Sequence, residues 1–259
     1  MTLLAEAPAG RHLAQFHREP AKLSDAVYAF LEAGLRRDQS VLIIAGADQK
    51  NDILERLEYG KFHVRALGNS GQLGVMDAEQ VLEQFTPNGV PDWARFRGAL
   101  VPMLLQLQPF GRGMRIYSQM AGVLWQHGKY EAAIRLEELW NALAISVQFS
   151  LYCCYSMDTH CEESYAGPLE EVGRTHSDIL GTSEDERFGV ALDQASKEVF
   201  GISLTQMAGV AGQNSTHRFP SAQRAMLWIK RNLPMSTSQL AERARHYYQQ
   251  PQPKQFRRP

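Results

Sequence analysis

Met114–Met120 (MRIYSQM) and Leu136–Ser156 (LEELWNALAISVQFSLYCCYS) are the stretches whose reading decides the fold. The first is a strand that runs into a segment rich in Gln, Trp, His, Tyr and Glu. A long amphipathic helix and a second apolar strand follow. This is the layout of an open parallel α/β sheet, and such sheets bind ligands where polar groups gather at strand ends.

The same alternation extends to both sides. Residues 11–17 read as a first strand, and Leu23–Arg37 as a helix with apolar residues at 23, 26, 27, 30, 31 and 35. Val41–Gly46 (VLIIAG) is the continuous β-branched run of a buried parallel strand. Asp48–Tyr59 reads as helix, Phe62–Leu67 as a third strand, Gly68–Gly74 as a loop and Val75–Asp77 as a short strand. Ala78–Phe85, Trp93–Gln108 and residues 129–144 read as helices, with a turn at Pro109–Gly113 and strands at 114–118 and 146–155. Strands and helices alternating at this spacing call for right-handed crossovers and a mainly parallel sheet. After Asp158 the character changes. Thr159–Gly189 is acidic and reads as loop-rich, and Val190–Phe200, Gln223–Leu233 and Thr237–Tyr248 read as helices. The domains expected are an α/β domain over 11–180, a helical region over 181–248 and a disordered tail over 249–259.

Bulk properties bound the function. The chain has 259 residues, 44% of them hydrophobic, enough for a substantial core. No stretch reaches the roughly 18 uncharged apolar residues of a membrane span. Met1–Gly10 lacks the pattern of a secretory signal, and three cysteines argue against a disulfide framework. The expectation is a cytoplasmic protein. Its net charge of -1 hides an asymmetry: Arg218–Pro259 carries nine Lys/Arg against the single acid Glu242. That basic end is expected to meet an acidic surface, with docking on protein, including a homodimer partner, favoured over nucleic acid.

No phosphate-loop motif occurs, and Gly68, Gly71 and Gly74 do not sit between a strand and a helix as a dinucleotide fingerprint requires. Cys153 and Cys154 are adjacent on a strand and so point to opposite faces, which speaks against their joining His160 and Cys161 around one ion. No metal and no cofactor is assigned. Arg115, Tyr117 and Gln119 share one strand face at period two, and Cys153 and Tyr155 do the same. Glu137 and Asn141 are four apart on one helical face. Trp125, His127 and Tyr130 stand where they can line or cover a pocket.

With these residues in view, His12–His176, about two-thirds of the chain, resembles the MEDS domain of bacterial and archaeal regulators and sensor kinases. The resemblance rests on the order of short motifs. His12, Phe16 and His17 stand at the family's opening His and Phe-aromatic pair, and Gly71-Gln72-Leu73 at its G-Q-L element. Arg115–Met120 matches R-x-x-x-E-M, with Gln119 in place of Glu. Glu137 and Asn141 match Y-E-x-x-x-N, with Leu136 in place of Tyr. Cys153 and Tyr155 match C-x-Y, and His176 the late His. The resemblance implies a RecA-like three-layer domain without a phosphate loop that senses small molecules. It implies a sensory, non-enzymatic role in signalling to a transcription or two-component partner. The ligand-binding candidates are therefore His12, Phe16, His17, Arg115, Gln119, Met120, Trp125, Glu137, Asn141, Cys153, Tyr155 and His176.

Overall fold

A computed structural model describes residues 2–107, 113–165, 167–204 and 218–250. Residues 109–112 of the expected turn and 251–259 of the expected tail lie outside them. The chain forms two compact units. One comprises Met1–Met157 with Arg174–Asp178, the other Asp158–Gly173 with Ile179–Pro259.

Six strands form one parallel sheet: β1 His12–His17, β2 Ser40–Ala45, β3 Leu73–Asp77, β4 Met114–Ser118, β5 Ser150–Ser156 and β6 Asp178–Leu180. Their order is β3-β2-β4-β5-β1-β6. The helices between them are α1 Thr2–Ala5, α2 Pro20–Leu35, α3 Ala47–Tyr59, α4 Val64–Asn69, α5 Ala78–Phe85, α6 Trp93–Leu107, α7 Met120–Gln126 and α8 Tyr130–Ala144. Helices α1–α3 cover one sheet face and α5–α8 the other. This is the three-layer α/β arrangement expected. The central strands β2 and β4 are buried along their whole length; β2 accordingly reads as an unbroken apolar run from Val41 to Ala45, whereas β4 buries Arg115 and Ser118 among its apolar residues.

Register fixes which side chains share a face. Ala14 pairs with Cys153 and Phe16 with Tyr155, while Tyr117 pairs with Tyr152 and Ser118 with Cys153. His12, Phe16, Ser118, Cys153 and Tyr155 therefore face α5–α8, and Gln15, Arg115, Tyr117, Tyr152 and Cys154 face α1–α3.

Two segments differ from the sequence reading. Phe62–Leu67, expected as a strand, lies mostly in α4, where Leu67 N–H bonds His63 O at 2.9 Å and Ser70 N–H bonds Ala66 O at 2.9 Å. No residue of α4 is buried, so the face that a sheet position demands is missing. Met120–Gln126 is a helix that the sequence reading left unassigned. It is apolar on all sides, with Met120, Ala121, Gly122, Leu124 and Trp125 all buried, so no polar stripe marks it. Its backbone lies directly on β5: a Cβ at Gly122 would come within 2.3 Å of the Cys154 carbonyl oxygen. Gly122→Ala is expected to lift α7 from β5 and cost about 1–3 kcal/mol, measurable as a lower urea midpoint.

The second unit is helical, as expected, but Thr159–Gly189 is more ordered than its composition implies. It holds a 3₁₀ turn at Glu162–Tyr165, α9 Leu169–Thr175, whose last two residues belong to the first unit, and the start of α10 Ser183–Phe200. Thr182 and Asp185 form a reciprocal capping box at the head of α10. Asp185 is buried and also accepts from Gln223 Nε2 at 2.7 Å. Helices α11 Ser221–Asn232 and α12 Thr237–Gln249 complete the unit. The basic end is partly engaged within this unit: Arg218 donates to Gly173 O, Lys230 to Tyr165 O, and Arg243 pairs with Glu198. Among the described residues no helix is long and apolar enough to cross a membrane.

Candidate functional site

The layer between the sheet and α8 should be apolar. Instead it holds a carboxylate. Glu137 sits on the buried stripe of α8 with Leu136, Leu139, Trp140 and Leu143, and its side chain is 0% exposed. Burying an isolated carboxylate costs several kcal/mol unless it is paired and hydrogen-bonded. Four polar side chains converge on it. His12 Nε2, from the start of β1, lies 3.1 Å from Glu137 Oε2. The Cys153 thiol, from the middle of β5, donates to the same oxygen at 3.5 Å. The Tyr155 hydroxyl, two residues further on the same face, donates to Oε1 at 2.5 Å. His176 Nε2, arriving just ahead of β6, lies 3.6 Å from Oε1.

These groups are held from behind. Asn141, one turn after Glu137, gives its amide N–H to Thr175 O at 2.8 Å, which fixes the orientation of the amide. Its Oδ1 then faces His12 Nδ1 at 2.9 Å, so that ring nitrogen is the donor. Thr175 Oγ1 lies 3.2 Å from His176 Nδ1. The two imidazole rings lie 4.0 Å apart between centroids, tilted by 45°. His12 is also anchored through its backbone, accepting from Ser177 N–H at 2.6 Å.

Burial would raise the Glu137 pKa, but His176 and His12 outweigh it and hold the carboxyl well below the usual carboxylate range. Burial and the adjacent Glu137 charge push the Cys153 thiol and the Tyr155 hydroxyl well above their ordinary values. Cys153 is thus a neutral donor to a carboxylate in this setting, not an activated nucleophile. Toward the C-terminal end of the sheet an aromatic group closes over the cluster. Tyr155 meets Phe16 at 5.6 Å and Trp125 edge-on at 5.6 Å, and Trp125 meets Tyr130 at 4.7 Å. Tyr130 is the most open of these rings, at 37% exposed.

The residues singled out in the sequence thus fall into separate places. His12, Glu137, Asn141, Cys153, Tyr155 and His176 form the cluster, with Phe16 and Trp125 beside it. Met120 is buried at the first turn of α7. Arg115 is on the opposite sheet face, where it donates to the carbonyls of Leu4, Phe30 and Ala5 and to Gln39 Oε1. Gln119 bridges the C-terminal ends of β2 and β4, its Oε1 accepting from Gly46 N–H at 2.8 Å. A ligand on the cluster face would therefore not use Arg115. His17 faces away from Phe16, and burial lowers its pKa to about 4. His160, weighed with the cysteines as a ligand, is stacked on Phe188 at 4.1 Å. Sequence reading missed the convergence itself: His12 and His176 lie at the two ends of the domain, and only the β5-β1-β6 order brings them together.

No curated protein and no solved structure matches the chain. The family model described as MEthanogen/methylotroph, DcmR Sensory domain matches residues 11–177, more than half of the chain and all of the cluster. The chain therefore belongs to the MEDS family of sensory domains.

Proposed function

We propose that residues 11–177 form a sensory module whose buried Glu137 cluster registers a small organic ligand and passes its occupancy to a regulatory partner. The observation that supports this reading most is the fully buried, hydrogen-bonded carboxylate. A buried ionic network adds little net stability, so its presence in an otherwise apolar layer points to recognition. The Phe16–Tyr155–Trp125 aromatic group beside it suits a weakly polar molecule whose one polar atom takes the place of the Tyr155 hydroxyl at Glu137. Binding of this kind shifts a conformational population only through the ligand's differential affinity for two states. The Tyr155–Glu137 hydrogen bond is the contact that differs between them.

We also propose that the chain is not an enzyme. β1 passes into α2 through Arg18 and Glu19 alone, with Glu19 at the N-cap. That leaves no glycine-rich loop to cradle a phosphate and sets an acid where a phosphate would sit. No Mg-dependent ATP hydrolysis above a buffer blank is expected. Engagement of Arg218, Lys230 and Arg243 within the helical unit supports protein docking over DNA binding for the basic end.

A thermal-shift screen of the full chain against a metabolite panel tests the sensory reading. At least one compound should raise the melting temperature of the wild type by several degrees and lose that effect in Tyr155→Phe. A panel with no stabilising compound, or one whose effects survive in both Tyr155→Phe and Glu137→Gln, would overturn it.

A further inference from the structure

We infer that His12, Glu137, Cys153 and His176 are the ligands of a buried site for a divalent transition-metal ion, best suited to zinc. This deepens the reading of the cluster as a binding site and rests on it.

One potential ligand atom from each residue lies within 4.8 Å of the others, and all four residues are buried. The individual separations are more telling. His12 Nε2 to Glu137 Oε2 is 3.1 Å, Cys153 Sγ to His12 Nε2 is 3.5 Å and Cys153 Sγ to Glu137 Oε2 is 3.5 Å. Bonds of about 2.0–2.3 Å to an ion in tetrahedral geometry place neighbouring ligand atoms about 3.3–3.6 Å apart. The site is therefore close to preformed around an ion that the metal-free chain replaces with protons. A set of two imidazoles, one thiolate and one carboxylate matches tetrahedral zinc and not the oxygen cages of calcium or magnesium.

The surroundings carry the second line of argument. A metal-bound imidazole nearly always gives its other ring N–H to an oxygen. His12 does this: Asn141 Oδ1 faces Nδ1, and the orientation of that amide is fixed by Thr175 O. The Nε2 lone pair is thereby directed at the carboxylate and the thiol, and a proton or a cation must lie between them. His176 has Thr175 Oγ1 in the equivalent place. Tyr155 holds the distal oxygen of Glu137, leaving Oε2 for the ion. On binding, the ion forms a bond to Cys153 sulfur and the thiol proton goes to solvent. With all four positions supplied by the protein, the site is closed, so the ion is sensed or structural and not a Lewis acid toward substrate.

Metal-free full-length chain titrated with Co(II) tests this. About one equivalent should bind, producing intense visible bands of tetrahedral cobalt and a near-ultraviolet thiolate charge-transfer band, both removed by Zn(II). Cys153→Ser should abolish the charge-transfer band, whereas Cys154→Ser, one residue away on the opposite sheet face, should keep it. If Cys153→Ser does not fold, the wild-type spectrum decides. Absence of a thiolate band in the wild type, or its survival in a folded Cys153→Ser chain, would overturn the proposal. A metabolite that stabilises the metal-free wild type and not Tyr155→Phe would leave the sensory reading standing in that event, so the two fail separately.

Discussion

Glu137→Gln is expected to lower the stability of the metal-free chain by about 3–5 kcal/mol, the usual effect of removing one partner from a buried ionic group. The substitution keeps the shape of the side chain, so packing is not the cause. It removes the charge that His12 and His176 face at 3.1 and 3.6 Å and leaves one acceptor oxygen where Tyr155 and Cys153 used two. Tyr155→Phe removes one hydrogen bond and should cost less, about 1–3 kcal/mol. Urea denaturation of the three proteins checks both values, with m unchanged if only stability moves. A Glu137→Gln chain as stable as the wild type would mean that the carboxylate is not held by its neighbours as described.

Arg115→Met should have an effect of similar size for a different reason. The guanidinium is 1% exposed and spends its donors on three backbone carbonyls and Gln39. Each acceptor left buried without a partner costs about 1–3 kcal/mol, so a loss of about 3–5 kcal/mol is expected after partial relaxation. Two of those carbonyls, of Leu4 and Ala5, belong to α1, so early proteolysis at the N-terminus should accompany the loss. Lysine should not rescue, because a point charge cannot replace the planar fork. The passage of this side chain also explains Gly34, where a Cβ would stand 2.7 Å from Arg115 Cδ.

These two residues show what was legible in the sequence. The unbroken apolar run of β2 and the Asp77 cap ahead of α5 are local signals, and the elements they announce are where the residues place them. Period two correctly set Arg115 with Tyr117 and Cys153 with Tyr155, but not Gln119 with the first pair, because β4 ends at Ser118 and Gln119 turns into the N-cap of α7. It could not say whether the pairs share a face, because that depends on Arg115 lying opposite Ser150. α4 and α7 escaped notice because one buries nothing and the other buries nearly everything, so neither has an amphipathic stripe. The start of α10 did carry a signal, the Thr182–Asp185 capping box, which an acidic composition concealed. The cluster residues were individually visible through the family motifs, but their meeting is a property of strand order.

The central claim is that occupancy is registered at the Glu137 cluster. Nitrogen-15 NMR of the imidazole rings addresses it directly, using the most stabilising compound of the screen, or Zn(II), as titrant. The account predicts that the ring nitrogens of His12 and His176 shift on saturation, while those of the exposed His63 and His246 stay in place. Stabilisation of the chain with the His12 and His176 signals unmoved would contradict it and direct attention to the strand ends at Gly46 and Gln119 instead.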